Sequence, residues 1–510
     1  MPARRIRAQV RWLSVLLLAC AANVGAERLP IRIYTTTDGL AHNAVKRIVR
    51  DSRGFLWFCT GEGLSRFDGY AFSNFGTDQG LPHASVNDLL ETRSGEYWLA
   101  TDGGLVRFNP TGRPDSRVVY ARDGMRPDAM FIVVLPAYDG RRARATTALL
   151  EAADGTLWVG TENGLYQLNR TIGGTSLRPV EIGIPSDYPE QRFVADLLED
   201  AHGSLWVAAP SGLYRRWPDG SAARYMPTAY FHDLLKDHEG HLWAATRREG
   251  FFRFSADATR NSPVVDLHFT SPRDLPRTPW VFQLFETSDR RFWVATASGL
   301  LEFFPNDGNE RGRFHTYTER NGLSAFEITA VNEDLGGNLW LGTTHAGAMK
   351  VTRGGFSTYG EQDAIVTVQD VFEDRAGNLG LRGAVLGDTR TSVFEGAKLD
   401  VLRGDQPSVH TRVGCFDGRR FVWFRPAAVT DLGWVGEHVI LQARNGDSWM
   451  GTGQGLFRFP PTGNFADLEN ARPISVYGLK DGLGALQVYR LFEDSRGNIW
   501  VSTFGGGLSR

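Results

Sequence analysis

The chain has 510 residues, a formal net charge of -2, 42% hydrophobic and 22% charged residues. That length exceeds one ordinary hydrophobic core, and the composition excludes intrinsic disorder. The near-neutral charge gives no whole-chain case for nucleic acid or an anionic membrane surface as a partner.

Residues 1–26 read as a secretory signal peptide. Arg4, Arg5, Arg7 and Arg11 form a basic start, Trp12 to Ala22 is apolar, and Val24-Gly25-Ala26 offers small residues for cleavage. Leu17-Leu18-Ala19-Cys20 can also be read as an imperfect lipoprotein box. Both readings export the chain, to a periplasmic or other extracytoplasmic location. After Ala26 no apolar run approaches the roughly 20 residues of a membrane helix, so a membrane anchor is expected only in a segment beyond Arg510. Cys59 and Cys415 remain, far apart, and are expected to be free buried thiols.

From Ile31 onward the chain repeats itself. Trp57, Trp98, Trp158, Trp206, Trp243, Trp293 and Trp340 occupy one slot, Gly380 takes that slot next, and Trp449 and Trp500 follow. Spacings of mostly 40 to 50 residues are those of propeller blades. Each unit runs through an apolar strand a, an acidic glycine turn, an aliphatic-Trp-aliphatic-small-Thr strand b, a Gly-Leu turn and a short aromatic strand c. Val194 to Tyr214 shows the pattern compactly. A fourth strand, d, as in Phe67-Asp68-Gly69-Tyr70-Ala71-Phe72, leads into recurrent loops such as Thr37-Asp-Gly-Leu40, Asp78-Gln-Gly-Leu81 and Lys480-Asp-Gly-Leu483. Four strands per unit predict an all-β fold of β-propeller type. One complete seven-bladed ring is expected over 27–353, followed by an incomplete second propeller of three or four blades over 354–510. Ile31-Arg-Ile-Tyr34 reads as a lone fourth strand that completes the seventh blade, and Phe356-Ser-Thr-Tyr359 repeats that logic. The second ring is harder to trace through 385–435, where Phe394-Glu-Gly-Ala-Lys and Phe416-Asp-Gly-Arg-Arg-Phe421 hint at an eroded blade. The last repeat lacks the Phe-Asp-Gly that follows Arg66, which suggests a fragment cut in mid-repeat.

The recurring sentence, as in Ile48-Val-Arg-Asp-Ser-Arg-Gly-Phe-Leu-Trp-Phe-Cys-Thr-Gly-Glu-Gly-Leu-Ser-Arg-Phe-Asp-Gly69, closely resembles the two-component regulator propeller repeat, and the resemblance covers essentially all of 27–510. It implies a periplasmic sensor region with two successive seven-bladed propellers. In that family a small β-sandwich, a membrane helix and a cytoplasmic histidine kinase or diguanylate cyclase typically follow. Gly380 departs from the pattern, and no kinase chemistry is present in these residues.

The motif tryptophans are expected to wedge between blades rather than to stack on sugars, because aliphatics flank each of them. Trp217, Trp280, Trp423 and Trp434 lie outside the slot and are better ligand contacts. The pairs Glu199-Asp200, Glu333-Asp334, Glu373-Asp374 and Glu493-Asp494 are read as turn architecture. Gly63, Gly104, Gly164, Gly212, Gly250, Gly299, Gly455 and Gly507 are read as positive-φ positions. No P-loop, dinucleotide fingerprint, HExxH or Gly-x-Ser-x-Gly motif occurs, so no cofactor, metal or catalytic residue is assigned. Strand alternation puts the d-to-a and b-to-c loops on one face, where variable loops can bind a ligand. The candidates there are His42, Asn43, Glu62, His83, Asp102, Glu162, Arg247, Arg248, Thr344, His345 and Gln454. Arg247-Arg248 could pair with a carboxylate or sulfate.

The resulting expectation is an extracytoplasmic ligand-sensing region that binds a small molecule or oligosaccharide and passes the signal, as a homodimer, to an output module beyond residue 510. The alternatives are a secreted propeller enzyme of lyase or glycosidase type and a stand-alone interaction scaffold.

Overall fold

The computed structural model describes residues 28–510 apart from 122–127, 137–139, 172–173, 186–187, 256–264, 271–279, 305–311, 355–358, 360–364, 376, 387–408, 417–420, 434–437 and 464. The signal peptide, Trp434, Phe394-Glu-Gly-Ala-Lys and most of Phe356–Tyr359 therefore lie outside the described residues. The chain divides into two compact units, Leu29–Phe356 and one that contains Ser357–Arg510.

Strand b is the one the sequence marks most clearly, and within Leu29–Phe356 it is enclosed on both faces. Leu56–Thr60, Tyr97–Thr101, Leu157–Thr161, Leu205–Ala209, Leu242–Thr246, Phe292–Thr296 and Leu339–Thr343 are buried at all five positions. The small residue next to the closing threonine is small because the following sheet presses on it. A Cβ at Gly160 would stand 2.7 Å from Val194, and one at Gly342 would stand 2.8 Å from Val45. The threonine then closes the b-to-c turn: Thr60 and Thr101 Oγ1 donate to the carbonyls of Gly63 and Gly104 at 2.7 Å. All eight turn glycines singled out above have positive φ, from 74° to 137°. At Gly299 (φ 124°) a Cβ would also lie 2.3 Å from the Tyr317 carbonyl oxygen, so only glycine fits.

The acidic turn and the tryptophan form one device. Asp51 Oδ1 accepts the backbone N–H groups of Arg53 and Phe55, while its Oδ2 accepts the Trp57 indole N–H at 2.9 Å. Asp200, Asp237, Asp334 and Asp494 likewise accept the indole N–H of the tryptophan six residues on, at 2.7–3.0 Å. Where Thr92, Thr287 or Ala443 takes the aspartate's place, the indole N–H of Trp98, Trp293 or Trp449 has no hydrogen-bond partner among the described residues. The glutamate that precedes this turn position has a separate task in several repeats, which is to hook the preceding sheet. Glu91 accepts Ser52 N–H, Glu151 accepts Arg93 N–H, Glu199 accepts Ala153 N–H and Glu333 accepts Ser288 N–H, all at 2.6–2.8 Å.

These units make a β-propeller. Within 29–356 the described residues contain seven four-stranded antiparallel sheets, six of them in simple chain order. The remaining sheet takes its outer strand from the start of the chain: Ile31–Tyr34 pairs with Ala348–Val351, from Ile31 opposite Val351 to Tyr34 opposite Ala348. The inner strands Val45–Arg50, Val86–Glu91, Thr146–Glu151, Asp196–Glu199, Phe231–Lys236, Val281–Glu286 and Ile328–Glu333 touch in that order, and the last touches the first. Between successive sheets lies one apolar cluster centred on one slot tryptophan. Trp57 packs with Leu81, Val86, Leu99 and Phe108 of the next sheet, and Trp340 closes the circuit against Val45, Ile48 and Phe58. Those tryptophans are thus wedges between sheets, as expected. Fully burying one such side chain contributes several kcal/mol, about 25 cal/mol for each Å² of apolar surface removed from water.

In the unit containing Ser357–Arg510 the described residues form two four-stranded sheets and one of three strands. The stretch that was hard to trace belongs to one sheet of long strands, Ile365–Glu373, Leu379–Leu386, Val409–Phe416 and Phe421–Phe424. The Phe416–Phe421 turn joins its third and fourth strands and does not start a separate sheet. Gly380 stands opposite Phe372, whose ring lies 2.2 Å from where a Gly380 Cβ would be. Phe372 packs edge-on against Phe465, 5.0 Å between centroids, in the cluster between this sheet and the next. A cross-strand aromatic thus covers the ground that tryptophan holds in the other repeats. Cys59 and Cys415 are both free and buried. No helix among the described residues is long and apolar enough to cross a membrane.

Candidate functional site

The inner strands begin with a repeated irregularity. Pairing with strand b skips one residue between Val45 and Arg47, Val86 and Asp88, Thr146 and Ala148, Phe231 and Asp233, Val281 and Gln283, and Ile328 and Ala330. The skipped residue of such a bulge is freed from the ladder and re-aimed. Lys46, Asn87, Thr147, His232, Phe282 and Thr329, joined by Ala195 from the fourth sheet, all line one cavity of about 420 Å³ on the ring axis. Asp102, Glu162 and Phe193 line it as well. Seven sheets contribute six kinds of side chain, threonine twice, so the axis is asymmetric although the scaffold repeats.

The next residue on each inner strand is Arg47, Asp88, Ala148, Asp196, Asp233, Gln283 or Ala330. Arg47 faces three carboxylates at once, Asp233 at 3.3 Å, Asp196 at 3.6 Å and Asp88 at 3.7 Å. The second oxygen of each carboxylate accepts a main-chain N–H of the following sheet: Leu149 to Asp88 at 3.0 Å, Leu234 to Asp196 and Leu284 to Asp233 at 2.8 Å. Gln283 does the same for Val331 at 2.7 Å. One cation among three buried carboxylates leaves the acids under-compensated. Burial, opposed by Arg47, raises Asp88 to about 6 and also raises Asp196. Burial and the neighbouring Asp196 raise Asp233 well above the usual carboxylate range. Burial disfavours the Arg47 charge, but Asp196, Asp88 and Asp233 outweigh it, so that guanidinium is held charged. Burial, reinforced by Arg47 and Arg247, lowers His232 to about 4, and its imidazole is neutral at pH 7.

The structure separates the loop residues named from sequence. Asp102 and Glu162 reach the axial cavity, and Asp102 Oδ1 accepts Asn87 Nδ2–H at 2.7 Å. Arg247 stands beside it, 4.4 Å from the Trp280 ring centroid and 5.6 Å from that of Tyr230. Trp280 packs on Phe282 at 4.6 Å, and both approach His232 within 6.3 Å. The Trp280 indole N–H has no hydrogen-bond partner among the described residues. Two features noted separately in the sequence, the arginine dipeptide and an off-slot tryptophan, thus meet at one edge of the cavity. His42, His83 and Asn43 serve their own loops: His42 and His83 Nδ1 accept the N–H groups of Ala44 and Ser85, and Asn43 Oδ1 accepts that of Thr36. Thr344 donates to Glu327 at 2.6 Å, and Glu62, Arg248 and His345 are exposed. Gln454 lies in the other unit and accepts Thr430 and Asp431 N–H. Trp217 is stacked by Arg215 on the fourth sheet, and Trp423 covers Gly414.

Lys46, Arg47, Asn87, Thr147, Phe193, His232 and Phe282 were missed, yet the signal for most of the lining was present. Each of the seven lining inner-strand residues stands eleven positions before its slot tryptophan. Read down that column, the repeats give Lys, Asn, Thr, Ala, His, Phe and Thr, the least repetitive position next to a repetitive one.

Residues 482–505 match the two-component regulator propeller family. No curated protein matches the sequence. Among solved structures, the extracellular domain assigned to the hybrid two-component system BT3049 of B. thetaiotaomicron is similar, with 19% identity and a TM-score of 0.55 over 94% of this chain and 65% of that one. A second extracellular domain, of BT4673 from the same organism, gives 17% identity and a TM-score of 0.48 over 95% and 66%. Virginiamycin B lyase of Staphylococcus aureus gives 14% identity and 0.48 over 64% of this chain and 99% of its own. The chain spans just under two thirds of the length of the first two. The BT3049 likeness speaks for the fold.

Proposed function

We propose that this chain, built of two-component regulator propeller repeats, is the extracytoplasmic ligand-sensing region of a signal-transduction receptor. Residues 29–356 then count as a seven-bladed propeller, closed by Ile31–Tyr34, and the remainder as part of a second. The signal is a small molecule or oligosaccharide that enters the axial cavity and rests on the Trp280 edge. The observation that carries this reading is the contrast between a rigid repeating frame and a cavity lining that varies from sheet to sheet, with only threonine occurring twice; variable side chains on a rigid scaffold are where recognition resides. Binding shifts the population between two packings of a homodimeric receptor, and thereby an output histidine kinase or diguanylate cyclase, only so far as the ligand prefers one packing. The test is calorimetric titration of the secreted chain with a panel of oligosaccharides. Trp280→Ala and the double variant Arg247→Ala/Arg248→Ala are expected to weaken the binding partner found by about tenfold or more. Unchanged affinity in both would remove the axial edge as the site.

A further inference from the structure

We infer that the axial cavity selects a ligand carrying a protonated amine, with an amino sugar as the class that fits its walls. The inference rests on the sensing reading above and names its ligand class. Five carboxylates stand in or directly beneath the cavity, Asp88, Asp102, Glu162, Asp196 and Asp233, and the two cations among them are Lys46 and Arg47, while Arg247 stands at the opposite, aromatic edge. Both cations are already engaged. Arg47 is held by the three floor aspartates, and Lys46 Nζ donates to Ser85 Oγ at 2.5 Å and Asn87 Oδ1 at 2.7 Å. The acidic side that a ligand can reach, Glu162 and Asp102, carries a local negative potential. Walls of low dielectric on all sides focus that potential along the axis.

The acidic groups available to a ligand sit on one side. The Glu162 carboxylate has no hydrogen-bond or ion-pair partner among the described residues, and Asp102 keeps Oδ2 beyond hydrogen-bond distance of His83 Nδ1, at 3.9 Å. Both belong to the b-to-c turns of the second and third sheets. The fifth and sixth sheets supply the other wall, with neutral His232 and with Phe282, behind which Trp280 packs. Ala195 and Ala148 leave room on the fourth and third sheets. An ammonium group on the acidic side can take charge-assisted hydrogen bonds from Glu162 and Asp102. A sugar ring then lies against the aromatic side, on Phe282 and His232. A carboxylated or sulfated ligand would have to bring its charge against Glu162 and Asp102 with no free cation on that side.

The experiment is titration calorimetry of the secreted chain at pH 6 with three probes: β-1,4-linked glucosamine disaccharide, its N,N′-diacetyl form and digalacturonate. The diamine is expected to bind at least tenfold more tightly than the diacetyl form, and digalacturonate most weakly. Glu162→Gln and Asp102→Asn should each weaken the diamine about five- to tenfold, leave the diacetyl form unchanged and leave the melting temperature unchanged. Equal or tighter binding of the diacetyl or galacturonate probe overturns the amine preference; if that binding still falls in Trp280→Ala, the sensing pocket stands without it. Binding of every probe that ignores Glu162, Asp102 and Trp280 alike overturns both, and no binding of the diamine overturns the inference.

Discussion

Asp51→Ala tests the turn device that recurs at Asp51, Asp200, Asp237, Asp334 and Asp494. The Asp51 carboxylate is 4% exposed and accepts four bonds, from Arg53 and Phe55 main-chain N–H, from Trp57 Nε1 and from Tyr97 Oη, at 2.9–3.0 Å. Tyr97 belongs to the next sheet, so the carboxylate ties its own tight turn, its own tryptophan and the neighbouring sheet together. Alanine removes the acceptor and strands two buried donors, the Trp57 indole and the Tyr97 hydroxyl. At about 1–3 kcal/mol for each buried unsatisfied group, with some overlap between them, the loss should be about 3–5 kcal/mol. Asp51→Asn keeps an acceptor oxygen for part of the set and should cost roughly half as much. Urea unfolding of the secreted chain, followed by tryptophan fluorescence, reads the shift in midpoint at constant slope. The converse change, Thr92→Asp, offers the orphaned Trp98 N–H a partner and should raise stability by about 1 kcal/mol. An Asp51→Ala midpoint within 1 kcal/mol of the parent would refute the claim that these carboxylates are structural.

Two further outcomes follow from the same geometry. Gly299→Ala forces a side chain into φ 124° and against the Tyr317 carbonyl oxygen, and should lower stability by about 2 kcal/mol or more, readable as a fall in melting temperature. Asp88 has a folded pKa of about 6, above the roughly 3.9 of an unfolded aspartate. Its contribution is therefore complete below about pH 4 and lost as pH rises through about 6, amounting to about 3 kcal/mol. Asp88→Asn should gain on the parent by up to that amount between pH 4 and pH 8, checked by denaturant unfolding at both; a constant difference would refute the assignment.

The division between what was readable in the chain and what was not is physical. Strand b, its threonine, the glycine turn and the Asp–Trp pair act within about ten residues of one another, so their chemistry recurs in the sequence at fixed offsets, and even the strand exchange at Ile31–Tyr34 could be read from a missing partner. Turn acids such as Asp200 and Asp334 were read correctly as architecture for that reason. The role of the preceding glutamates was not, because Glu91 and Glu333 bond a turn in a different repeat. At Gly380 the sequence shows only the missing tryptophan, whereas the cross-strand register brings Phe372 over it. The axial cavity is the extreme case. Lys46, Asn87, Thr147, Ala195, His232, Phe282 and Thr329 come from across nearly 300 residues of chain, and no local rule relates them. The repeat by itself determined how each sheet is built and that the sheets stack around an axis. Only the closure of the ring, through the inter-sheet packing of Trp340 on Val45 and Phe58, decided which seven side chains face one another, and with them the charge of the cavity.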